Sequence, residues 1–298
     1  MQRAREQRKA KMKLVRYLGD GGSARPGLLI DDRVVPLADV APGAPTDMLD
    51  VIGAWDGLRD AVANTAASSG SALNKVKLLA PIERPRKILA IGLNYADHIE
   101  ESKAAGVKIP TEQVWFCKQP TSVNGPFGEV QMPRVSNQLD YEVELVVVIG
   151  KSGRHIPAER AHEHVFGYSV GNDVTVRDWQ FKTPQWMLGK SFDSHCPFGP
   201  SIVTADEIGD PHSLGIRALV NGELRQNSNT RHLVFNVWRQ IEELSHAMTL
   251  EPGDLIFTGT PGGVGFGFKP PKPLLVGDSV RCEIDRIGVI ENRIVAEV

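Results

Sequence analysis

Two glutamates lie inside one strongly apolar stretch of the chain, residues 141–149, which read Tyr-Glu-Val-Glu-Leu-Val-Val-Val-Ile. Successive side chains of a β-strand point to opposite faces, so Glu142 and Glu144 share one face and Val143 takes the other. The aliphatic run that follows is typical of a strand buried on both faces. The stretch therefore predicts a core strand with two carboxylates on one face, and it restricts the chain to folds built around a buried sheet.

A third carboxylate, Asp173, follows the short apolar run 165–170, where the end of a second strand is predicted. Ionised carboxylates near a core repel one another and lose hydration, so they require a compensating cation or fixed donors. Oxygen ligands favour Mg²⁺ or Mn²⁺, with Ca²⁺ as an alternative, over zinc, which prefers His and Cys. Glu142, Glu144 and Asp173 are the predicted metal ligands. The competing interpretation is an exposed strand face paired with Lys or Arg, and the apolar run after Glu144 argues against it.

The charge distribution excludes several classes of partner. The 298 residues carry a net charge of -2, and the first sixteen are strongly basic, so the rest of the chain is acidic. An acidic body lacks the basic surface that nucleic acid requires, and no apolar stretch is long enough to span a membrane. Residues 1–11 lack the apolar core of a secretory signal and are predicted to be a disordered basic extension.

The three cysteines, Cys117, Cys196 and Cys282, are widely spaced and form no C-x-x-C pair. This spacing indicates neither a disulfide framework nor a zinc site, and each cysteine is expected to be a small core hydrophobe. A reducing, cytoplasmic location fits that usage.

The order of patterns predicts two domains, a small α/β domain at residues 12–80 and a larger one at residues 81–298. The first contains a hairpin and a helix at residues 48–62, and small residues after position 65 mark a flexible junction. The second contains short strands separated by turn residues, including a hairpin at Asn221 and Gly222, and one amphipathic helix at residues 234–248. Strict alternation of strand and helix is missing, so the predicted class is α+β, mostly β, with a mixed β-roll.

Two further segments hold candidate functional residues, and each has a structural alternative. Residues 92–102 read as a strand that gives way to a helix, with Asn94 or Asp97 as its cap and with His98 and Glu101 as i,i+3 neighbours. A carboxylate beside a histidine suits water activation, and the alternative is a capped surface helix. The glycine-rich residues 259–267 follow a predicted strand and are either a structural turn or a carboxylate-binding loop.

Two motifs point to other chemistry but have the wrong context. Ser169 lies in a G-x-S-x-G sequence, yet the residues after Gly171 are poor helix formers, and the serine-hydrolase elbow requires a helix there. His162 and His164 diverge if they lie on the short exposed helix predicted for residues 157–165, so they are not expected to share a metal.

Together these motifs resemble the fumarylacetoacetate hydrolase family, especially its two-domain acylpyruvase-like members and its "domain-containing protein 2" branch. The resemblance covers residues 87–298 most closely and rests on five segments in order: Asn94–Glu101, Glu142–Glu144, Asp173–Gln180, Gly189–Phe192 and Thr258–Gly265. It implies a homodimer and a metal held by the three predicted ligands. It assigns catalysis to His98, Glu101 and Lys190, and substrate binding to Arg177, Gln180, Gly259 and Thr260.

The activity that the resemblance implies is metal-dependent hydrolysis of a C–C bond in a 2,4-dioxo acid, which releases pyruvate and a carboxylic acid. His98, oriented by Glu101, would activate the water. The same residues also suit tautomerisation, isomerisation or decarboxylation of an oxaloacetate-like β-keto acid, because these reactions share an enolate that the cation stabilises. In each case the expected partner is a small anionic keto acid.

Overall fold

The computed structural model describes residues 12–19, 22–63, 65, 70–96 and 111–298. Within these ranges the fold is α+β and mostly β, as predicted, with a twelve-stranded sheet, a five-stranded sheet and a two-stranded ribbon. The strands are β1 (Lys13–Leu18), β2 (Ala24–Ile30), β3 (Arg33–Pro36), β4 (Ser71–Ala72), β5 (Lys77–Leu79), β6 (Ile88–Gly92), β7 (Val114–Cys117), β8 (Val123–Asn124), β9 (Val130–Met132), β10 (Leu139–Asp140), β11 (Val143–Ile149), β12 (Val165–Asn172), β13 (Thr175–Val176), β14 (Cys196–Thr204), β15 (Gly215–Val220), β16 (Glu223–Asn229), β17 (Leu255–Phe257), β18 (Ser279–Ile284) and β19 (Gly288–Ala296).

The helices of the described ranges are short. The α-helices are α1 (Leu37–Val40), α2 (Met48–Gly53), α3 (Trp55–Ala63), α4 (Arg177–Gln180), α5 (Met187–Lys190), α6 (Ala205–Ile208) and α7 (Val237–Ala247). The 3-10 helices are Leu73–Lys75, Pro120–Ser122, Ala158–His164, Pro211–Ser213, Thr230–His232 and Gly265–Gly267. No helix of these ranges has the length and apolar character needed to cross a lipid bilayer.

Two predicted helices differ in detail from the structure. The helix expected at residues 48–62 is two helices, α2 and α3, separated at Ala54. The helix expected from residue 234 begins only at Val237, because the Asn236 side chain accepts a hydrogen bond from the Arg239 backbone N–H and caps it.

Strand β11 lies in the interior of the large sheet, between antiparallel neighbours β12 and β17. All seven of its residues are buried, which confirms the predicted core strand. Its alternate residues pack into two different cores: Leu145 and Val147 into one, Val146 and Val148 into the other. Glu144 shares the face of Val146, so the carboxylates lie where that second core ends.

The N-terminal strands continue the same large sheet. Strand β1 pairs antiparallel with β14, with Lys13 opposite Val203 and Leu14 opposite Ile202. The Trp55 ring of α3 packs edge-on against Phe166 of β12, with centroids 5.2 Å apart. Residues 12–80 therefore share a sheet and a core with the rest of the chain, and the boundary near residue 80 stays a prediction.

The five-stranded sheet has the order β16-β15-β18-β19-β9. Its buried residues, such as Ile216 and Val280, pack in the same core as Leu145 and Val147 of β11. The predicted hairpin at Asn221 and Gly222 joins β15 to β16, and both residues have the positive φ that such turns require. Strand β11 is thus covered on both faces. This buries Glu144 within the strand and Glu142 directly before it.

Candidate active site

The three predicted metal ligands converge. Glu142, Glu144 and Asp173 expose 6%, 1% and 0% of their surface, and one carboxylate oxygen of each lies within 4.8 Å of the other two. The convergence follows from the pairing of β11 with β12, which places Asn172 opposite Val143. The Asp173 backbone N–H then donates to the Glu142 carbonyl at 2.8 Å.

The Lys190 ammonium lies across two of these carboxylates. Its Nζ donates to Glu142 Oε2 and to Asp173 Oδ2, both at 2.7 Å. Burial lowers the pKa of Lys190, but Asp173 and Glu142 outweigh that effect, so the pKa is raised and the side chain is charged. Helix α5 can approach α4 because Gly189 has no Cβ, which would overlap the Gln180 backbone N.

Arg177 connects Glu142 to a fourth acidic residue, Asp140. Its Nε donates to Asp140 Oδ2 at 2.8 Å, and another guanidinium nitrogen lies 2.7 Å from Glu142 Oε1. Burial lowers the pKa of Arg177, but Asp140 and Glu142 raise it further than burial lowers it. Gln180 Oε1 accepts a hydrogen bond from the same guanidinium at 2.9 Å. The predicted substrate-binding residues Arg177 and Gln180 are therefore neighbours in the site.

Asp140 was missed by the sequence analysis as a member of this cluster. Besides Arg177, it accepts hydrogen bonds from the backbone N–H groups of Gly265 and Phe266, at 2.7 and 2.9 Å. In the sequence, the indication for Asp140 was its position two residues before Glu142. Asp140 ties the glycine-rich segment to Arg177.

Lys118, at the end of β7, was also missed. Its Nζ donates to Asp173 Oδ1 at 2.6 Å, to the Val174 carbonyl at 3.3 Å and to the Lys190 carbonyl. Its side chain is completely buried. A lysine directly after an apolar strand was the only sequence signal. Lys118 holds the Asp173 carboxylate and the backbone of Lys190 together.

Among the described residues, the cluster has four acidic groups and three basic ones. Its carboxylates are Asp140, Glu142, Glu144 and Asp173, and its cations are Lys118, Arg177 and Lys190. Within the described ranges Glu144 has no ion pair; its Oε2 accepts the Gly259 N–H at 2.7 Å. Burial, and then the Asp173 and Glu142 charges, raise the pKa of Glu144 well above its ordinary value.

This donor set fits a hard divalent cation. It consists of carboxylate oxygens, which Mg²⁺, Mn²⁺ and Ca²⁺ prefer. Each carboxylate oxygen has two lone pairs, so contact with an ammonium leaves further capacity to accept a ligand bond. Glu144 has no basic partner among the described residues, so a bound cation would supply the positive charge that this carboxylate lacks. Glu142, Glu144 and Asp173 would hold the ion, and the ion would supply Lewis-acid stabilisation of negative charge on a bound oxygen.

The glycine-rich segment runs along β11 beside the carboxylates. Gly259 has φ of +100°, and a Cβ there would lie 2.8 Å from the Asn94 Cβ, so the segment requires glycine. Thr260 Oγ1 donates to the Val143 carbonyl at 2.9 Å. Gly259 and Thr260 are thus within the site, and their contacts with substrate stay a prediction.

The predicted segment 92–102 is described only as far as residue 96. His98, Glu101 and Asp97 lie outside the described residues. The Asn94 amide donates to the Phe235 and Thr258 carbonyls at 3.0 and 2.8 Å, so its side chain joins three segments. Its role as a helix cap stays a prediction.

The motifs set aside in the sequence have structural roles. Ser169 is buried in β12 and donates to the Gly199 and Ser201 carbonyls, at 3.1 and 3.0 Å. His162 is exposed on the 3-10 helix Ala158–His164. All three cysteines are free, and Cys196 and Cys282 are fully buried.

We expect Mn²⁺ binding to release about one proton at pH values below the raised pKa of Glu144, because the metal requires the ionised carboxylate. In the metal-free chain this carboxyl binds its proton more tightly when folded than when unfolded. The free energy of unfolding of the metal-free chain therefore falls as the pH rises from the ordinary pKa of a glutamate towards the raised pKa of Glu144.

Calorimetric titration with Mn²⁺ in two buffers of different ionisation enthalpy counts the released protons. The Glu144→Gln variant should release fewer. Identical heats in the two buffers with the wild-type chain would contradict the expected proton release.

Comparisons with known proteins find relatives over most of this chain. Residues 87–295 match the family described as fumarylacetoacetate (FAA) hydrolase C-terminal. The mitochondrial oxaloacetate tautomerase fahd2 of Xenopus laevis is 44% identical over 291 residues, which cover 95% of this chain and 90% of that protein.

Two solved structures are similar over 96% of this chain and 100% of their own. A fumarylacetoacetate hydrolase from Exiguobacterium antarcticum has a TM-score of 0.84 at 41% identity. A maleylpyruvate hydrolase from Sphingobium sp. SYK-6, in complex with manganese(II) and pyruvate, has a TM-score of 0.81 at 33% identity. The match along the chain and the arrangement of the acidic cluster lead to one conclusion: this chain belongs to the fumarylacetoacetate hydrolase family.

Proposed function

We propose that the chain is a divalent-metal-dependent tautomerase that interconverts the enol and keto forms of an oxaloacetate-like β-keto acid. The observation that carries the proposal is the buried carboxylate triad with the Lys190 ammonium across two of its members. This arrangement offers an anionic enolate a fixed positive charge in a water-poor site. The 44% identity to an oxaloacetate tautomerase supports the same choice of reaction.

The chain's own residues have distinct roles in this proposal. Tautomerisation moves one proton between a carbon and the enol oxygen, and negative charge develops on that oxygen as the proton leaves carbon. Lys190 and Arg177 stabilise this charge, and their raised pKa values keep them protonated while they do so. Gln180 orients the Arg177 guanidinium through their hydrogen bond. The glycine-rich segment, which lies beside the carboxylates, is assigned in this proposal to bind the carboxylate end of the substrate.

Hydrolysis of acylpyruvates is the second candidate. It is supported by the similarity to a maleylpyruvate hydrolase that was solved with manganese(II) and pyruvate. Hydrolysis needs an activated water, which the sequence assigns to His98 and Glu101, whereas tautomerisation needs none. The homodimer and the cytoplasmic location also stay predictions, and the Xenopus relative is named mitochondrial.

Ultraviolet absorbance of enolic oxaloacetate and of acylpyruvates tests the proposal, with lactate dehydrogenase added to measure pyruvate. We expect rapid loss of the oxaloacetate enol band with Mn²⁺ present, no pyruvate release, and loss of the activity in EDTA. Pyruvate from oxaloacetate would indicate decarboxylation instead, and pyruvate from acylpyruvates would indicate hydrolysis. Ser169→Ala should retain the full rate, because in the described part of the chain the hydroxyl of this buried serine donates only to the Gly199 and Ser201 carbonyls.

A further inference from the structure

Gln226 is a fully buried amide that joins the carboxylate strand to the glycine-rich segment. It lies on β16, in the five-stranded sheet, and is 0% exposed. Its Oε1 accepts the Val143 backbone N–H at 3.0 Å. Its Nε2 donates to Thr260 Oγ1 at 2.8 Å and to the Pro261 carbonyl at 2.7 Å. One side chain from a separate sheet therefore binds both segments that form the site.

This amide replaces a missing strand partner. Strand β17 pairs with β11 only at residues 146–148, so it does not reach Val143. The Val143 N–H bonds to Gln226 instead, and the Val143 carbonyl accepts from Thr260 Oγ1 at 2.9 Å. Buried backbone groups are strongly destabilising when they lack partners, so these side chains fix the peptide at Val143.

The position of that peptide determines the geometry of the carboxylates. Val143 stands between Glu142 and Glu144, so a shift of its backbone moves both carboxylates. Gln226 also bonds to the glycine-rich segment, at Thr260 and Pro261. That segment supplies the Gly259 N–H, which donates to Glu144 Oε2 at 2.7 Å. Gln226 therefore acts on Glu144 through two routes, the strand and the segment.

Strand β16 also contacts the segment at a second point. Gly263 has φ of +97°, and a Cβ there would overlap the Arg225 carbonyl oxygen. The Gly263 carbonyl in turn accepts a hydrogen bond from the Tyr141 hydroxyl at 2.9 Å. Because Gly263 has no side chain, the segment packs directly against the β16 backbone beside Gln226.

We propose that Gln226 is a positioning residue for the metal centre, which sets the distance between the Glu142–Glu144 pair and the Gly259–Gly263 segment; this inference rests on the proposed metal-dependent function. Residues that orient metal ligands from outside the coordination shell typically contribute about 10–100-fold to metal affinity. Gln226 has no contact with the carboxylate oxygens among its hydrogen bonds in the described ranges, so its effect is indirect.

The test is calorimetric titration of Mn²⁺ into the metal-stripped full chain. Gln226→Met has similar volume but loses all three hydrogen bonds, and we expect its Mn²⁺ Kd to rise about 10–100-fold. The matched control is Asn292→Leu, which removes another buried amide that donates to the Gly125 and Gly128 carbonyls at 3.2 and 2.7 Å. This control should lower the Tm and leave the Mn²⁺ Kd unchanged.

An Mn²⁺ Kd within about two-fold of wild type in Gln226→Met would overturn the proposal, because a purely structural amide changes the Tm alone. If Gln226→Met does not fold, Gln226→Glu retains the shape and the acceptor for the Val143 N–H, and it loses at least one of the two donations because a carboxyl group has at most one O–H. At saturating Mn²⁺ its kcat for oxaloacetate should fall at least about ten-fold, and an unchanged kcat would also overturn the proposal. A wild-type chain that binds Mn²⁺ but leaves oxaloacetate unchanged would refute the proposed function and leave the affinity test intact.

Discussion

Replacement of Lys190 by methionine is expected to lower kcat for oxaloacetate tautomerisation by about 10²–10³-fold, the usual cost of removing one donor that stabilises a developing oxyanion. The Lys190 ammonium is the buried cation that contacts both Glu142 and Asp173, at 2.7 Å in each case. Methionine has similar length but neither the charge nor the donors. Binding of Mn²⁺ should persist, because a positive charge that competes for two of the ligands has been removed.

The control is Lys182→Met, which removes an exposed lysine whose ammonium lies 4.2 Å from the centroid of the Trp179 ring. Its kcat should match that of wild type. Steady-state kinetics at saturating Mn²⁺ measures both variants. A Lys190→Met enzyme that binds Mn²⁺ and turns over within three-fold of wild type would remove Lys190 from the chemistry.

Replacement of Lys118 by methionine is expected to lower the free energy of unfolding by about 3–5 kcal/mol, the typical cost of breaking a buried ion pair on one side. Lys118 and Asp173 both have fully buried side chains, and their charged atoms lie 2.6 Å apart. The substitution leaves Asp173 Oδ1 without this cation and two backbone carbonyls without this donor. Urea unfolding in EDTA measures the loss.

Two further variants separate this explanation from simple loss of volume. In Lys118→Met, Asp173 keeps Lys190 but the cluster has lost one of its cations. Adding Asp173→Asn removes one negative charge in turn, so the double variant should regain part of the lost stability. Arg160→Met breaks an exposed, solvent-screened pair with Glu163 and should leave the free energy of unfolding nearly unchanged. A double variant less stable than Lys118→Met alone would show that the charge balance does not govern stability here.

The acidic triad could be predicted from the sequence because its signal is local. Alternation along residues 142–149 placed two carboxylates on one face, and a second strand end supplied Asp173. Lys118 and Asp140 escaped notice because their roles depend on neighbours elsewhere in the chain. Lys118 meets Asp173 at a separation of 55 residues, and no periodic pattern encodes such a contact.

The fold shows the same division between local and distant information. The buried strand, the Asn221-Gly222 hairpin and the amphipathic helix α7 were predicted because each depends on neighbouring residues. The pairing of β1 with β14 joins residues nearly 190 positions apart, and strand pattern alone does not choose such a partner. Gln226 was missed for this reason too: its partners, Val143 and Thr260, lie on other strands and loops.

The most direct test of the central claim is Mn²⁺ titration of the metal-stripped chain and of Asp173→Asn, with free Mn²⁺ measured by electron paramagnetic resonance. The three converging carboxylates predict one tight ion per wild-type chain and loss of that binding in the variant. An Asp173→Asn chain that binds Mn²⁺ as tightly as wild type, or a wild-type chain that binds none, would contradict the assignment of Glu142, Glu144 and Asp173 as a metal centre.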